Sequence, residues 1–311
     1  MRIAVTGANG FVGVHLTRRL FPHHDVLAID NLRYGPWRFT SEERTRFKPE
    51  TLDIRDRAAI ERALSLFDPQ AIIHLAALHF IPECERFPDE AIAVNVAGTV
   101  NLLAACKPSC RFVFTSSAAV YAPKETDHHE REDQVGPVDV YGFTKLHAEH
   151  LIRHFSAEKH FQSVIVRLFN VVGPGETNPH VLPEIIRQLR QGSRTLKLGN
   201  VQPKRDYVFV KDVAAGLIAA ATEPLPEPSQ PDPILVNLGS GKSYSVEDIV
   251  RRLATIIGEP IQIEIDQARV RQVDRPNLLS NCALMLQLFS WMPAHDIDQS
   301  LRESWMEPGT V

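Results

Sequence analysis

The chain has 311 residues, 44% hydrophobic and 23% charged, enough apolar material for one large domain or two of ordinary size without covalent staples. Its 34 Lys and Arg against 38 Asp and Glu leave a net charge of −4, which excludes a general electrostatic attraction to nucleic acid or anionic lipid. No apolar run approaches the roughly 20 residues of a membrane helix, and Met1-Arg2-Ile3-Ala4-Val5 leads straight into a strand-like run, so a cytoplasmic protein is expected.

In chain order, short β-branched runs alternate with longer amphipathic stretches. Strands are predicted at Ile3 to Thr6, Asp25 to Asp30, Arg46 to Leu52, Ala71 to Leu75, Arg111 to Ser116 and Ser163 to Phe169. Helices are predicted between them at Phe11 to Leu20, Arg57 to Phe67, Asp89 to Cys106 and Tyr141 to Lys159. Alternation of this kind makes a doubly wound parallel sheet, a Rossmann-like α/β fold over residues 1–170. After Asn170 the pattern breaks at Gly173-Pro174-Gly175 and Asn178-Pro179, and a helix follows near Val181 to Gln191. A strand and helix near 205–222 are expected to return to the first domain, the helix covering Asp212 to Ala221 and ending at a proline-rich surface loop, Pro224 to Pro233. Beyond it a strand at Ile234 to Asn237, a helix at Val246 to Ile257, a strand at Ile261 to Ile265 and C-terminal helical pieces read as a smaller α/β lobe, residues 171–311.

Four cysteines, Cys84, Cys106, Cys110 and Cys282, are too sparse for a disulfide scaffold and lack zinc-site spacing. The pairs His23-His24 and His128-His129 sit in turn-like segments, so no metal is expected. Gly241-Lys242-Ser243 imitates the end of an ATP-binding loop, but the glycine needed five positions earlier is Val236.

Gly7-Ala8-Asn9-Gly10-Phe11-Val12-Gly13 follows the first strand and opens the first helix. Glycines there permit a tight turn and close packing, and the helix N-terminus offers unpaired N–H groups to a pyrophosphate. Asp30, ending the second strand, suits the adenosine ribose hydroxyls and repels a 2′-phosphate, favouring NAD over NADP; Arg33 nearby softens that preference or is a solvated loop residue.

Tyr141 and Lys145 share a helix face at i, i+4 spacing, and the strand ending Thr115-Ser116-Ser117 brings small hydroxyl residues to the edge where ligands meet such sheets. Together they permit acid–base work on an alcohol. A phenol of pKa about 10 must act near pH 7, a shift of about 4 kcal/mol that an adjacent ammonium helps to supply.

With these motifs the chain resembles the extended short-chain dehydrogenase/reductases, in particular the NAD-dependent nucleotide-sugar epimerases and dehydratases such as UDP-glucose 4-epimerase. The resemblance adds Asp30-Asn31-Leu32, Asp53-Ile54, Leu75-Ala76-Ala77 after His74, and Asn95 as cofactor contacts, with Thr115, Ser116 and Phe169 beside them. For the sugar nucleotide it points to Asn170, Leu182, Arg205, Arg271 and Asp274. The two arginines suit bidentate phosphate contact, with structural ion pairing as the alternative. It further implies a homodimer paired through the helices at Asp89 to Cys106 and Tyr141 to Lys159.

The family's 4,6-dehydratases carry acidic residues just after the catalytic hydroxyl, where this chain has Ala118-Ala119, so the resemblance is to 4-epimerases. The expected reaction is epimerisation at C4 of a UDP-hexose through a 4-keto intermediate, with Tyr141, Lys145 and Ser117 catalytic. A 4-keto-sugar reductase is the nearest alternative, ahead of a dehydratase or a non-catalytic NAD sensor. His79 lies where UDP-galactose epimerases carry a lysine-containing loop; it contacts sugar or phosphate, or caps the next helix.

Overall fold

The computed structural model describes residues 1–176, 178–226, 232–270 and 275–307. The first half contains β1 (Arg2–Thr6), α1 (Phe11–Leu20), β2 (Asp25–Asp30), β3 (Lys48–Thr51), α2 (Arg57–Phe67) and β4 (Ala71–His74). It continues through α3 (Ile81–Arg86), α4 (Pro88–Ile92), α5 (Thr99–Ala105), β5 (Arg111–Ser117), α6 (Val140–Lys159) and β6 (Ser163–Leu168). The second half holds β7 (Asn170–Val172), α7 (Val181–Arg190), β8 (Thr195–Leu198), β9 (Lys204–Phe209), α8 (Val210–Thr222) and β10 (Ile234–Leu238). Last come β11 (Ser243–Ser245), α9 (Val246–Ile257), β12 (Gln262–Ile265), β13 (Asn277–Leu278), α10 (Ala283–Phe289) and α11 (Ile297–Met306).

Among the described residues the central sheet has seven strands in the order β10-β6-β5-β4-β1-β2-β3, all parallel. Side chains alternate between its faces with the period of two that a strand imposes. On one face Ile3, Val5, Val113 and Val164 pack with Leu16, Leu20, Val213 and Leu217 from α1 and α8. On the other Ala4, Phe112, Phe114 and Ile165 pack with Ile60, Leu64, Leu102 and Ile152 from α2, α5 and α6. A sheet covered on both faces is what parallel strands require.

Three expectations change here. The strand at Ile234–Leu238 joins the central sheet beside β6 instead of the small lobe, because its two faces are both apolar: Leu235 enters one core, Val236 and Leu238 the other. Of the strand and helix near 205–222, the helix α8 packs in the first domain's layer, but β9 pairs with β7, β11 and β13. The remaining lobe has its own core, in which Ile185, Leu189, Leu196, Tyr207, Ile249, Leu253 and Leu301 meet. The helix predicted over Asp89 to Cys106 is interrupted by a π-helical segment at Ala93–Gly98.

Candidate active site

A cleft of about 880 Å³ runs along the C-terminal ends of the strands, where the crossovers that follow the paired strands β1 and β4 go to opposite faces of the sheet, and on into the small lobe. At one end it meets the turn after β1. Gly10 N donates to Gly7 O at 3.1 Å, and Ala8 N to Ile29 O at 3.2 Å, closing the turn against β2. A Cβ at Gly13 would lie 2.1 Å from Gly7 O, so only glycine lets α1 approach β1 this closely. No side chain caps α1 and its first turn carries no acidic residue. The amides at its N-terminus therefore remain available to an anion.

Asp30 lines the cleft beside this turn, its Oδ2 accepting from Asn9 N at 3.0 Å and its Oδ1 from Leu32 N at 2.8 Å. Burial raises its carboxyl above the usual range, and these two amides counter the rise. A carboxylate has further lone pairs for ribose hydroxyls. Arg33 is engaged elsewhere, by Glu83 at 3.0 Å and by Glu90, and its guanidinium lies over Tyr34. The uncapped helix end and the Asp30 carboxylate fit a dinucleotide lacking a 2′-phosphate.

The catalytic candidates meet at the middle of the cleft. α6 is started by Asp139, whose Oδ1 accepts from Gly142 N at 2.7 Å, and by Glu85, whose Oε1 accepts from Val140 N at 2.8 Å. Gly142 brings the helix against the turn after β5, where a Cβ would stand 2.6 Å from Ala119 O. This approach sets Tyr141 beside Ser117. Burial pushes the Tyr141 phenol above its usual value, and its hydrogen bond with Ser117 acts in the opposite direction. Lys145 is 3% exposed, its Nζ donates to Thr115 O at 2.8 Å, and it sits 5.8 Å from the centre of the Tyr141 ring. Desolvation pushes its ammonium down to about 7. Lys145 can thus exchange its proton near neutrality, and while protonated it favours a phenolate at Tyr141.

Of the residues assigned to cofactor or sugar from the sequence, those described line the cleft except Leu32 and Asn95. Leu32 is a turn residue at φ +56°, its N–H spent on Asp30. Asn95 faces inward from the π-helical segment; its Oδ1 accepts from Leu78 N at 2.7 Å, and its Nδ2 donates to Leu78 O at 2.8 Å and Thr144 Oγ1 at 2.9 Å. It braces a wall of the cleft from behind. Ser116 reaches the wall, but its hydroxyl turns away to Glu149 at 2.5 Å. Thr115 Oγ1 donates to His74 O at 2.7 Å.

In the small lobe Asn170, Leu182 and Arg205 line the cleft, and Arg205 Nη1 donates to Arg275 O at 2.8 Å. Arg271 and Asp274 lie outside the described residues. His79 does not cap α3, whose N-cap is Phe80 without a side-chain bond. Its Nε2 accepts from Asn178 Nδ2 at 2.8 Å, which links the loop after β4 to the segment leading into α7.

Several cleft residues escaped the sequence reading. Arg275 Nη2 donates to Ala119 O at 3.0 Å and the side chain pairs with Asp139 at 3.6 Å, bracing the turn after Ser117. Glu176, 5% exposed, accepts from His180 Nδ1 at 2.5 Å. Arg269 is compensated by Glu184 and Asp266. None of these has a local motif; the chain's path alone gathers them. Among the described residues no His, Cys, Asp and Glu cluster could hold a metal ion, and no helix is long and apolar enough to cross a membrane.

The model of the NAD dependent epimerase/dehydratase family matches residues 3–239. A GDP-6-deoxy-D-mannose reductase from Pseudomonas aeruginosa is 29% identical over 97% of this chain and 95% of its own length. A UDP-glucose 4-epimerase from Lacticaseibacillus casei is 30% identical over 98% and 96%. The crystal structure of UDP-glucose 4-epimerase from Brucella ovis in complex with NAD superposes with a TM-score of 0.87 at 25% identity, covering 98% of this chain and 97% of that one. The matched region contains the glycine turn, Asp30, Ser117, Tyr141 and Lys145, and it makes the chain an NAD-using enzyme that belongs to the NAD dependent epimerase/dehydratase family.

Proposed function

We propose that this protein interconverts the C4 epimers of a nucleotide-diphosphate sugar, a UDP-hexose by preference, through a transient 4-keto sugar. The observation that carries this reading is the meeting of Tyr141, Lys145 and Ser117 on one wall of the cleft, followed by Ala118 and Ala119 at 1% and 6% exposure. Buried alanines cannot supply the second acid and base that eliminating water across C5 and C6 needs.

The α1 N-terminus and Asp30 would hold NAD, which would supply the hydride acceptor and, once reduced, the donor. Tyr141 as phenolate takes the proton of the sugar 4-hydroxyl as the C4 hydride leaves, and gives that proton back after the sugar has turned over. Ser117 hydrogen-bonds the same sugar oxygen. Lys145 stabilises the phenolate charge, and Thr115 O holds its ammonium in place. No net oxidation occurs. Turnover of the sugar requires an anchor at its far end, for which Arg205 on the small-lobe side provides positive charge suited to a diphosphate. Phe87, Ile92 and Phe143, at 40%, 53% and 52% exposure around α4 and on α6, supply apolar surface for a homodimer through those helices.

NMR of a nucleotide-sugar panel incubated with the NAD-loaded protein tests the reading. One sugar should convert to its C4 epimer without change in reduced cofactor, and Tyr141→Phe should abolish this while NAD stays bound; an active Tyr141→Phe protein overturns it. The reductase relative favours a second reading, in which the same residues reduce a 4-keto sugar. Consumption of one reduced cofactor per product identifies that outcome.

A further inference from the structure

Glu149 follows Tyr141 and Lys145 at i+8 and i+4 on α6, so the three share one helix face. Its side chain is 4% exposed and that of its partner Arg167 is 3% exposed. Arg167 Nη2 donates to Oε2 at 2.7 Å and Nε to Oε1 at 3.0 Å, and Ser116 Oγ donates to the same Oε1 at 2.5 Å. An ion pair this deeply buried contributes little to stability relative to apolar residues of similar volume. Its placement has another consequence. Ser116 lies between Thr115, whose carbonyl holds Lys145, and Ser117, which meets Tyr141. Arg167 in turn lies 4.6 Å over the Tyr121 ring, and Tyr121 donates to Asn237 at 2.7 Å. The anchor thus ties α6 to β5, β6 and β10 directly behind the catalytic wall.

The titratable groups facing Lys145 are Tyr141 and Glu149 from its own helix, Cys84 from α3, His74 from β4 and His79 from the following loop. Burial pushes the His74 imidazole down to about 3 and the Cys84 thiol up to about 12. These two are uncharged at neutral pH, which leaves Glu149, itself paired with Arg167, as the negative neighbour within this set.

We propose that Glu149 is a positioning residue of the active site: through Ser116 it fixes the end of β5, and through its charge it keeps the Lys145 ammonium beside Tyr141. This rests on the catalytic reading of Tyr141 and Lys145 given above.

The test compares Glu149→Gln, which keeps size and an acceptor for Ser116, with Glu149→Gln/Arg167→Met, which leaves no stranded buried guanidinium. Two measurements are made on NAD-loaded protein: kcat and KM as functions of pH, and, without sugar, the NMR titration of a ¹⁵N-labelled Lys145 ammonium. Expected are a kcat lower by about tenfold, a KM changed by less than about twofold, and an alkaline limb and a Lys145 midpoint both displaced about one unit toward acid. A purely structural role would lower Tm and leave the profile and the midpoint in place. Folded variants with a wild-type profile and midpoint overturn the proposal, as does failure of both variants to fold, which would assign the pair to stability. Tyr141→Phe run in parallel separates the two ideas, since its retained turnover would sink the catalytic reading itself.

Discussion

Replacing Lys145 by Met removes the ammonium and keeps most of the stem that packs against Phe114, 4.7 Å from the ring centre to Nζ. The ammonium lies 5.8 Å from the centre of the Tyr141 ring. At an effective dielectric constant of about 20, opposite unit charges at that separation attract by about 3 kcal/mol. This amounts to about two pKa units at the phenol, or about a hundredfold in phenolate population at a fixed pH. Burial already raises Tyr141, so the variant has no reserve. We expect kcat near neutrality to fall about a hundredfold and then to climb about tenfold per pH unit into the alkaline range as hydroxide replaces the lost electrostatic help. Steady-state turnover with the sugar identified by NMR is the assay. A neutral-pH kcat within about threefold of wild type, with an unchanged pH profile, would refute the reasoning.

Stability should move the opposite way. Desolvation brings Lys145 from an ordinary 10.5 down to about 7, so its folded value lies below its unfolded one. The cost of burying the charged amine is full below the folded value and fades as pH rises toward the unfolded value, so this group makes the protein more stable with rising pH across that window. Lys145→Met should therefore raise Tm clearly at about pH 6 and little at about pH 10.

Two further outcomes are expected. Gly13→Ala places a Cβ 2.1 Å from Gly7 O and 2.8 Å from Ala8 backbone atoms, which cannot yield as a flexible side chain would; a loss of about 1–3 kcal/mol in thermal or urea unfolding and weakened NAD binding by titration should follow, and unchanged values would show that the turn relaxes freely. Glu83→Gln/Glu90→Gln releases Arg33 from both carboxylates, so NADP affinity should rise about tenfold with NAD affinity little changed. An unaltered NADP affinity would mean that Asp30 alone excludes the 2′-phosphate.

Much of this protein was legible in order along the chain because its signals are local. The β1 turn, Gly7 to Gly13, announces itself by glycine spacing between a strand and a helix, and Tyr141 and Lys145 by one helical turn. The alternation of strands and helices through Leu168 carried the parallel sheet with it, since parallel strands need crossovers and both faces covered. Long-range placement was not legible in the same way. Ile234–Leu238 follows a proline-rich run and lies among small-lobe elements, yet pairing with β6 draws it into the central sheet. Asn95 has the right company in sequence for a cofactor contact, but the π-helical segment turns its amide toward Leu78 and Thr144. Glu149, Glu176, His180 and Arg275 carry no motif at all.

From residue order alone came the alternating strands and helices of the first domain, the glycine-rich turn and the spacing of phenol and amine, all set by interactions spanning a few residues. Only the folded chain decided which charges are buried, which are paired, and which reach the cleft. Those outcomes depend on contacts such as Arg167 with Glu149 and Asn178 with His79, 18 and 99 residues apart along the chain, which exist only once folding has brought the distant segments together.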